Sequence, residues 1–230
     1  MSKSEATEPK TFWQEWSGFI IFIIAMFAFR IAIADWNHVP SGSMRPTLIE
    51  GDRIWLNKLA YDIKVPYTKV VLKKMGDPQR GDIIVFKSPK NGTRLVKRIV
   101  GIPGDELSYD RHQLKVNGQA VTYEPLAFED VDKSVQAERA KQFKLYTEKL
   151  PGRDHPVLHA PISRTPPASW VVPEGQYVAF GDNRDQSDDS RFWGTVPREL
   201  IIGRTRNVVI SFNRDNYYLP RASRFFKSLP

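Results

Sequence analysis

Cysteine is missing from the 230-residue sequence, which excludes disulfides, thiolate metal sites and a cysteine nucleophile while leaving the redox compartment open. Histidine is scarce, at four residues. His155 and His159 have the spacing of two ligands on one helix face, but Pro156 between them breaks such a helix, so a surface loop is expected there and neither a metal nor any other cofactor is implied. Acidic residues are also short, 26 against 34 Lys and Arg, for a net charge of +8. That balance favours an anionic partner, lipid or nucleic acid, without choosing between them. Long apolar runs are absent but for one, which excludes a polytopic membrane protein, and the 41% hydrophobic and 26% charged content is ordinary for a globular chain. The length suits one sizeable domain.

The one run, GFIIFIIAMFAFRIAIA at 18–34, is interrupted by Arg30 and flanked by Trp13, Trp16 and Trp36. It reads as a short transmembrane helix with aromatic belts. An arginine at mid-membrane costs roughly 2.5–3.5 kcal/mol, which Ile and Phe residues at about −0.3 to −0.6 kcal/mol each offset. Arg30 is also near enough to Trp36 to snorkel toward that interface. The rival reading, a cleavable leader ending at Ala32-Ile33-Ala34, requires a clearly positive start. Lys3 and Lys10 are instead set against Glu5, Glu8 and Glu15. The predicted organisation is a tail at 1–17, a membrane helix at 18–36 and a soluble domain at 37–230.

Beyond Trp36, Gly and Pro punctuate short apolar runs at 53–56, 82–86, 95–100, 176–180 and 207–212, a mainly β pattern. Alternation on both sides of Asn117-Gly118 predicts a two-stranded hairpin. Charged residues around Phe128, Val131, Val135, Phe143 and Tyr146 suggest an exposed helix over 128–150, and the Pro-rich 151–173 segment reads as an irregular connection. Together these form an inserted β-ribbon and helix region at about 108–173.

Two residues stand out chemically. Ser43 lies in the Gly- and Pro-bounded turn Pro40-Ser41-Gly42-Ser43-Met44-Arg45-Pro46, a setting in which serine is ordinarily just a turn former. Lys97 is placed by strand alternation on the face of Leu95 and Ile99, an odd site for an ammonium group. A lysine there is either snorkelling at an edge or desolvated, and desolvation lowers its pKa enough to make it a base. A serine hydroxyl needs such a base to become nucleophilic. His38 is the alternative base near Ser43, but no acidic partner accompanies it. Asp188 and Asp189 invite a reading as catalytic carboxylates, yet Arg184 and Arg191 beside them fit an ion-pair network. Phe225 and Phe226 among Arg221, Arg224 and Lys227 suit either lipid headgroups or a solvated tail.

The runs PSGSMRPTLIEGD (40–52), RGDIIVF (80–86), VKRIVGIPGD (96–105) and GDNRDQSDDSRFWGTVP (181–197) resemble, in order, the boxes of bacterial type I signal peptidases. The resemblance implies Ser43 as nucleophile, Lys97 as general base and Ser41 beside the Ser43 N–H in an oxyanion hole. It further implies Ser187 as the residue orienting the lysine, with Asp189 and Arg191 as a supporting ion pair. Gln186 stands where the family commonly has Asn, and one N-terminal helix is read where many relatives have two.

A β-fold is also implied, in which strands flanking Ser43 and Lys97 accept the substrate as an added strand, with Val39 and Val96 as pocket-lining choices for small residues at −1 and −3. The implied function is a serine endopeptidase freeing exported preproteins after Ala-X-Ala, anchored in the bacterial inner membrane with its N-terminus cytoplasmic and its catalytic domain outside. The implied partners are signal peptides and lipid, and the oligomeric state is left open. A specialised peptidase for a pilin or conjugation component and an idle signal-peptide-binding module are the alternatives. A DNA-binding repressor with a self-cleaving Ser-Lys domain would need a helix-turn-helix where the apolar run stands, so no nucleic acid is expected.

Overall fold

The computed structural model describes residues 11–32, 34–65, 68, 70–130, 143–163, 165–214 and 216–230, with backbone alone for 27–32, 34 and 130. Among the described residues helix α1 (Phe12–Ala32) leads into seventeen strands: β1 (Ala34–His38), β2 (Asp52–Asn57), β3 (Asp62–Lys64), β4 (Val71–Lys74), β5 (Ile83–Lys87), β6 (Arg94–Gly101), β7 (Glu106–Asp110), β8 (Gln113–Val116), β9 (Gln119–Ala120), β10 (Thr122–Pro125), β11 (Lys144–Leu150), β12 (Arg153–His159), β13 (Ala168–Val171), β14 (Gln176–Phe180), β15 (Val196–Pro197), β16 (Ile201–Asn213) and β17 (Leu219–Pro220). A short helix α2 (Ser190–Trp193) follows β14. The fold is mainly β, as the punctuated apolar runs predict.

The main sheet has the order β1-β2-β16-β5-β6-β14-β15, with β17 added to β16. In β2 the buried residues Asp52, Ile54 and Leu56 alternate with exposed Arg53, Trp55 and Asn57, the period-two pattern of a half-buried strand. One core, built on Val39, Met44, Leu48, Ile54, Ile83 and Val85, lies beneath the Ser43 turn. A second, including Ile84, Phe86, Ile99 and Ala179, occupies the other side of β5 and β6. Val100, Val178 and Phe180 of the main sheet join Leu107, Tyr109, Leu114 and Val172 in a third, which attaches the smaller sheet β13-β7-β8-β9.

The hairpin at Asn117-Gly118 forms as read, between β8 and β9. Both turn residues have positive φ, 52° and 78°, the left-handed pair that a two-residue hairpin requires. Two readings are corrected. Residues 144–150 form strand β11 rather than the end of a helix, paired on both sides by β10 and β12; residues 131–142 of that reading lie outside the described residues. The segment 151–173, expected to be irregular, contains β12 and β13. In both places strand pairing overrides the local sequence, charged in 144–150 and Pro-rich in 151–173.

Helix α1 carries exposed Phe12, Trp13, Phe19, Ile21, Phe22 and Ile24. Among the described residues no helix is long and apolar enough to cross a membrane.

Candidate active site

Ser43 sits in a single 3-10 turn, Gly42–Met44, that follows β1, with Ser41 extended at its N-cap. The turn is fixed from below and from the side. Met44 and Leu48 are buried in the core, the Leu48 N–H donates to the Met44 carbonyl at 2.9 Å, and Arg45 pairs with Glu50 at 2.6 Å. From the loop after β14, the Asn183 backbone N–H donates to the Ser43 carbonyl (3.1 Å) and its side-chain amide to the Gly42 carbonyl (3.0 Å). That loop comes so close that a Cβ on Gly181 would collide with both the Ser43 carbonyl oxygen and the Ser187 side chain. Glycine is required there by contact.

Lys97, opposite Ile84 in the β5–β6 pairing, is 2% exposed. Its Nζ donates to Ser43 Oγ at 2.6 Å. No carboxylate lies within ion-pair distance of it among the described residues. Burial is the main cause that lowers its pKa, to about 8, opposed by the charges of Asp189, Asp182 and Asp188, with Arg191 adding to the drop. The snorkelling alternative is thereby removed: the amine is desolvated and faces a serine hydroxyl.

Ser187 is buried, and its hydroxyl donates to Asp189 Oδ2 at 2.6 Å. No hydrogen bond joins Ser187 to Lys97 among the described residues. Burial alone would raise the Asp189 pKa, but the Arg191 guanidinium, with hydrogen bonds from Arg191, Gly181 N–H and Ser187, holds it below the ordinary carboxylate value. Arg191 binds Asp189 through Nε (2.8 Å) and Nη2 (2.7 Å) and lies over the rings of Phe180 and Tyr109. The Asp189–Arg191 pair is thus built into the core beside the lysine.

Ser41, Val39, Val96, Ser43 and Lys97 share a cleft of about 540 Å³, which also takes in Asn37, Arg94, Gln186 and Asp188. Val39 is buried and Val96 packs against the same core. Strand β14 pairs β6 only from Arg98 onward, so the stretch Arg94–Lys97 has β5 on one side and the cleft on the other. Asp188, exposed and 3.5 Å from Lys90, is no buried acid.

The histidines are redistributed. His38 lines the cleft, and burial with Arg214 and Arg53 lowers its pKa. His155 and His159, expected in a surface loop, are buried in β12, where Pro156 is accommodated opposite Thr147. Desolvation lowers their pKa values to about 4 and about 3, which keeps both rings neutral. His159 stacks on His112 at 4.4 Å between ring centres.

Residues with no role assigned in the sequence complete the surroundings, together with Arg184, which was read as a partner of Asp188 and Asp189 but pairs with Glu148 instead. Arg98 holds Asp182 through two bonds of 3.0 and 2.9 Å, and the Thr47 hydroxyl donates to the same carboxylate. Arg184 holds Glu148, with Nη2 to Oε1 at 2.8 Å. These pairs tie the β6 strand, the 181–187 loop and β11 into one body behind the Ser43 turn. Arg98, Asp182 and Arg184 lie inside the quoted boxes, which was the available signal; Glu148 had none.

Against known proteins, residues 13–210 match the family model described as "Signal peptidase, peptidase S26". The signal peptidase I of Buchnera aphidicola subsp. Schizaphis graminum is 34% identical, the alignment covering 90% of this chain and 76% of the relative. That of Pseudomonas fluorescens is 36% identical over 89% of this chain and 74% of its own. A solved signal peptidase I structure from Enterococcus faecalis V583 is 33% identical, covering 57% of this chain and 98% of its own, with a TM-score of 0.36.

Proposed function

Since the chain belongs to the signal peptidase family, peptidase S26, and is a serine endopeptidase that removes signal peptides, we propose that Ser43 and Lys97 form its catalytic dyad. The observation that carries this is the 2.6 Å contact between Lys97 Nζ and Ser43 Oγ, made by a buried lysine with no carboxylate in ion-pair range among the described residues. The neutral amine takes the Ser43 proton as Oγ attacks the scissile carbonyl carbon. The tetrahedral intermediate collapses to an ester on Ser43 as the Lys97 ammonium gives that proton to the departing amine, the new N-terminus of the mature protein. Lys97 then deprotonates the water that hydrolyses the ester.

The charge that develops on the carbonyl oxygen is met by the Ser43 N–H and the Ser41 hydroxyl, the latter at the extended N-cap of the same turn. Ser187, held by Asp189 through its own proton, keeps oxygen lone pairs with which to accept from the lysine and orient it. Asp189 and Arg191 keep that serine in place. The substrate enters as a strand beside the unpaired edge of Arg94–Lys97, with small side chains at −1 and −3 over Val39 and Val96 and cleavage after Ala-X-Ala.

Helix α1, with its exposed aromatic and aliphatic side chains, serves as the lipid anchor of a single-pass inner-membrane protein. The chain before α1 lies on the cytoplasmic side, and the catalytic domain, which begins with β1 at Ala34 rather than at 37, on the outer side. With β1 directly after α1, Ser43 lies close to the membrane surface, where exported chains emerge. The deciding experiment incubates the purified protein and its Ser43→Ala variant with preproteins and maps the products by mass spectrometry. Cuts after Ala-X-Ala by the wild type alone support the reading; equal cutting by Ser43→Ala overturns it.

A further inference from the structure

The far end of the cleft holds a polar feature that the dyad does not use. Asn37 on β1 and Arg94 on β6 belong to strands that are not neighbours in the sheet, yet both line the cleft and are joined across it, Arg94 Nη1 donating to Asn37 Oδ1 at 2.5 Å. A guanidinium has only donors. Arg94 therefore fixes which way the Asn37 amide faces: the oxygen toward Arg94, the NH₂ away from it. Asn37 is 8% exposed, and nothing among the described residues accepts from its Nδ2. A buried donor without an acceptor is a standing desolvation penalty that an incoming acceptor relieves.

From these observations we infer that Asn37, oriented by Arg94, is a specificity residue that donates a hydrogen bond to an acceptor oxygen on the side chain of a bound substrate strand. This rests on the proposed strand-like binding of the substrate. Asn37 lies in β1 and Val39 just past its end, where the Val39 N–H still donates to the Asp52 carbonyl of β2 at 2.9 Å; both are buried with exposed His38 between them, so their side chains share a face. The substrate residue read by Asn37 is accordingly two positions along from one that packs on Val39. An oxygen-bearing side chain is favoured there, because an apolar one leaves the amide unsatisfied. Arg94 is a positioning residue: it touches the amide, and its removal lets the amide turn over.

The test uses the full-length enzyme in detergent micelles and peptides with an Ala-X-Ala cleavage site. Position −5, two along from the −3 residue, carries O-methylserine, which only accepts, or its isostere norvaline, with −2, −4 and −6 as off-register controls. Wild type is expected to favour O-methylserine in kcat/KM by roughly three- to tenfold at −5 alone, the effect of one neutral hydrogen bond. Asn37→Asp keeps an oxygen for Arg94 but loses the N–H, and its ratio at that position should fall to one or below. In Arg94→Ala, at an exposed residue, the ratio should fall part of the way. A wild-type ratio of one at −5, or a preference that survives Asn37→Asp, overturns the inference and leaves Asn37 a tether between the two sides of the cleft. An unchanged preference in Arg94→Ala overturns the positioning role of Arg94. If Ser43→Ala still cuts the same peptides, it is the dyad reading that fails, a result separate from these.

Discussion

Neighbouring residues on β6 put two cations into the same protein interior under opposite terms. Arg98 is 0% exposed and surrounded: Asp182 takes two of its bonds, and the Gly81 and Pro230 carbonyls take two more, at 2.9 and 2.8 Å. Lys97, 2% exposed, has a serine hydroxyl and, among the described residues, no carboxylate in range. Desolvation penalises both ions, but only Arg98 is compensated by a paired counter-charge. The compensated ion holds elements together. The uncompensated one is pushed toward its neutral form, the only form that accepts a proton. The same contrast recurs around the site, where Arg184 with Glu148, Arg191 with Asp189 and Arg224 with Asp52 are all buried pairs.

The largest expected effect breaks the contrast from the chemical side. Ser43→Ala and Lys97→Ala should each lower kcat by about 10⁴-fold or more, and the double variant should be no worse than either single one, because the two side chains act as a unit. Steady-state kinetics on a preprotein, with circular dichroism to verify folding, reads this directly. Lys97→Arg, which keeps a cation but has no neutral form at working pH, should be as inactive as the alanine variant.

Stability should divide the neighbours the other way. Arg98→Met strands the Asp182 carboxylate in the core and should cost about 3–5 kcal/mol in chemical denaturation. Lys97→Met removes a buried ion that had no counter-charge and should be neutral or stabilising at pH 7. A large loss from Lys97→Met would mean that the lysine is structural and the contrast mistaken.

Ser41→Ala comes next in size. The Ser41 hydroxyl acts only on charge that develops during reaction, so its removal should lower kcat by roughly 10²–10³-fold, about 2.7–4 kcal/mol, with KM nearly unchanged. Ser41→Thr, which keeps a hydroxyl, should retain much of the activity. A raised KM at constant kcat would make Ser41 a substrate-binding residue.

What could be read in the sequence follows the range of the interactions involved. The Asn117-Gly118 hairpin depends on the backbone freedom of two adjacent residues, and β2 on alternation within six, so both were legible. The placement of Lys97 was legible as an anomaly, a cation on an apolar face. Strand β11 was not, because Lys144-Leu145-Tyr146-Thr147-Glu148-Lys149-Leu150 reads locally as a charged surface segment. Glu148 becomes a core residue chiefly by pairing with Arg184, 36 residues away. His155 and His159 failed for the same reason: a proline between them excludes a helix but not a buried strand. Arg98 and Asp182 lay in plain view in the quoted boxes, yet their pairing across 84 residues is visible only in the fold.

The finest test of the contrast is its dependence on pH, since only an ion without a counter-charge should titrate near neutrality. With the Lys97 pKa at about 8, kcat/KM should rise nearly tenfold per pH unit below 8 and level off above it. A limb near 6.5 that vanishes in His38→Ala would assign the base to His38 instead. Stability carries the same signature with a definite sign. Between pH 8 and 10.5 the unfolded chain binds a proton at Lys97 that the native chain does not, so native stability rises with pH across that window. Below about 8 both states are protonated and the full penalty applies, roughly 3 kcal/mol for a drop from 10.5 to about 8. Lys97→Met lacks this titration. Its stability relative to wild type should therefore be greatest at pH 7 and shrink toward pH 10 in parallel denaturation series. A difference that stayed constant across that range would show that Lys97 titrates alike in both states, and burial would then not be what makes it a base.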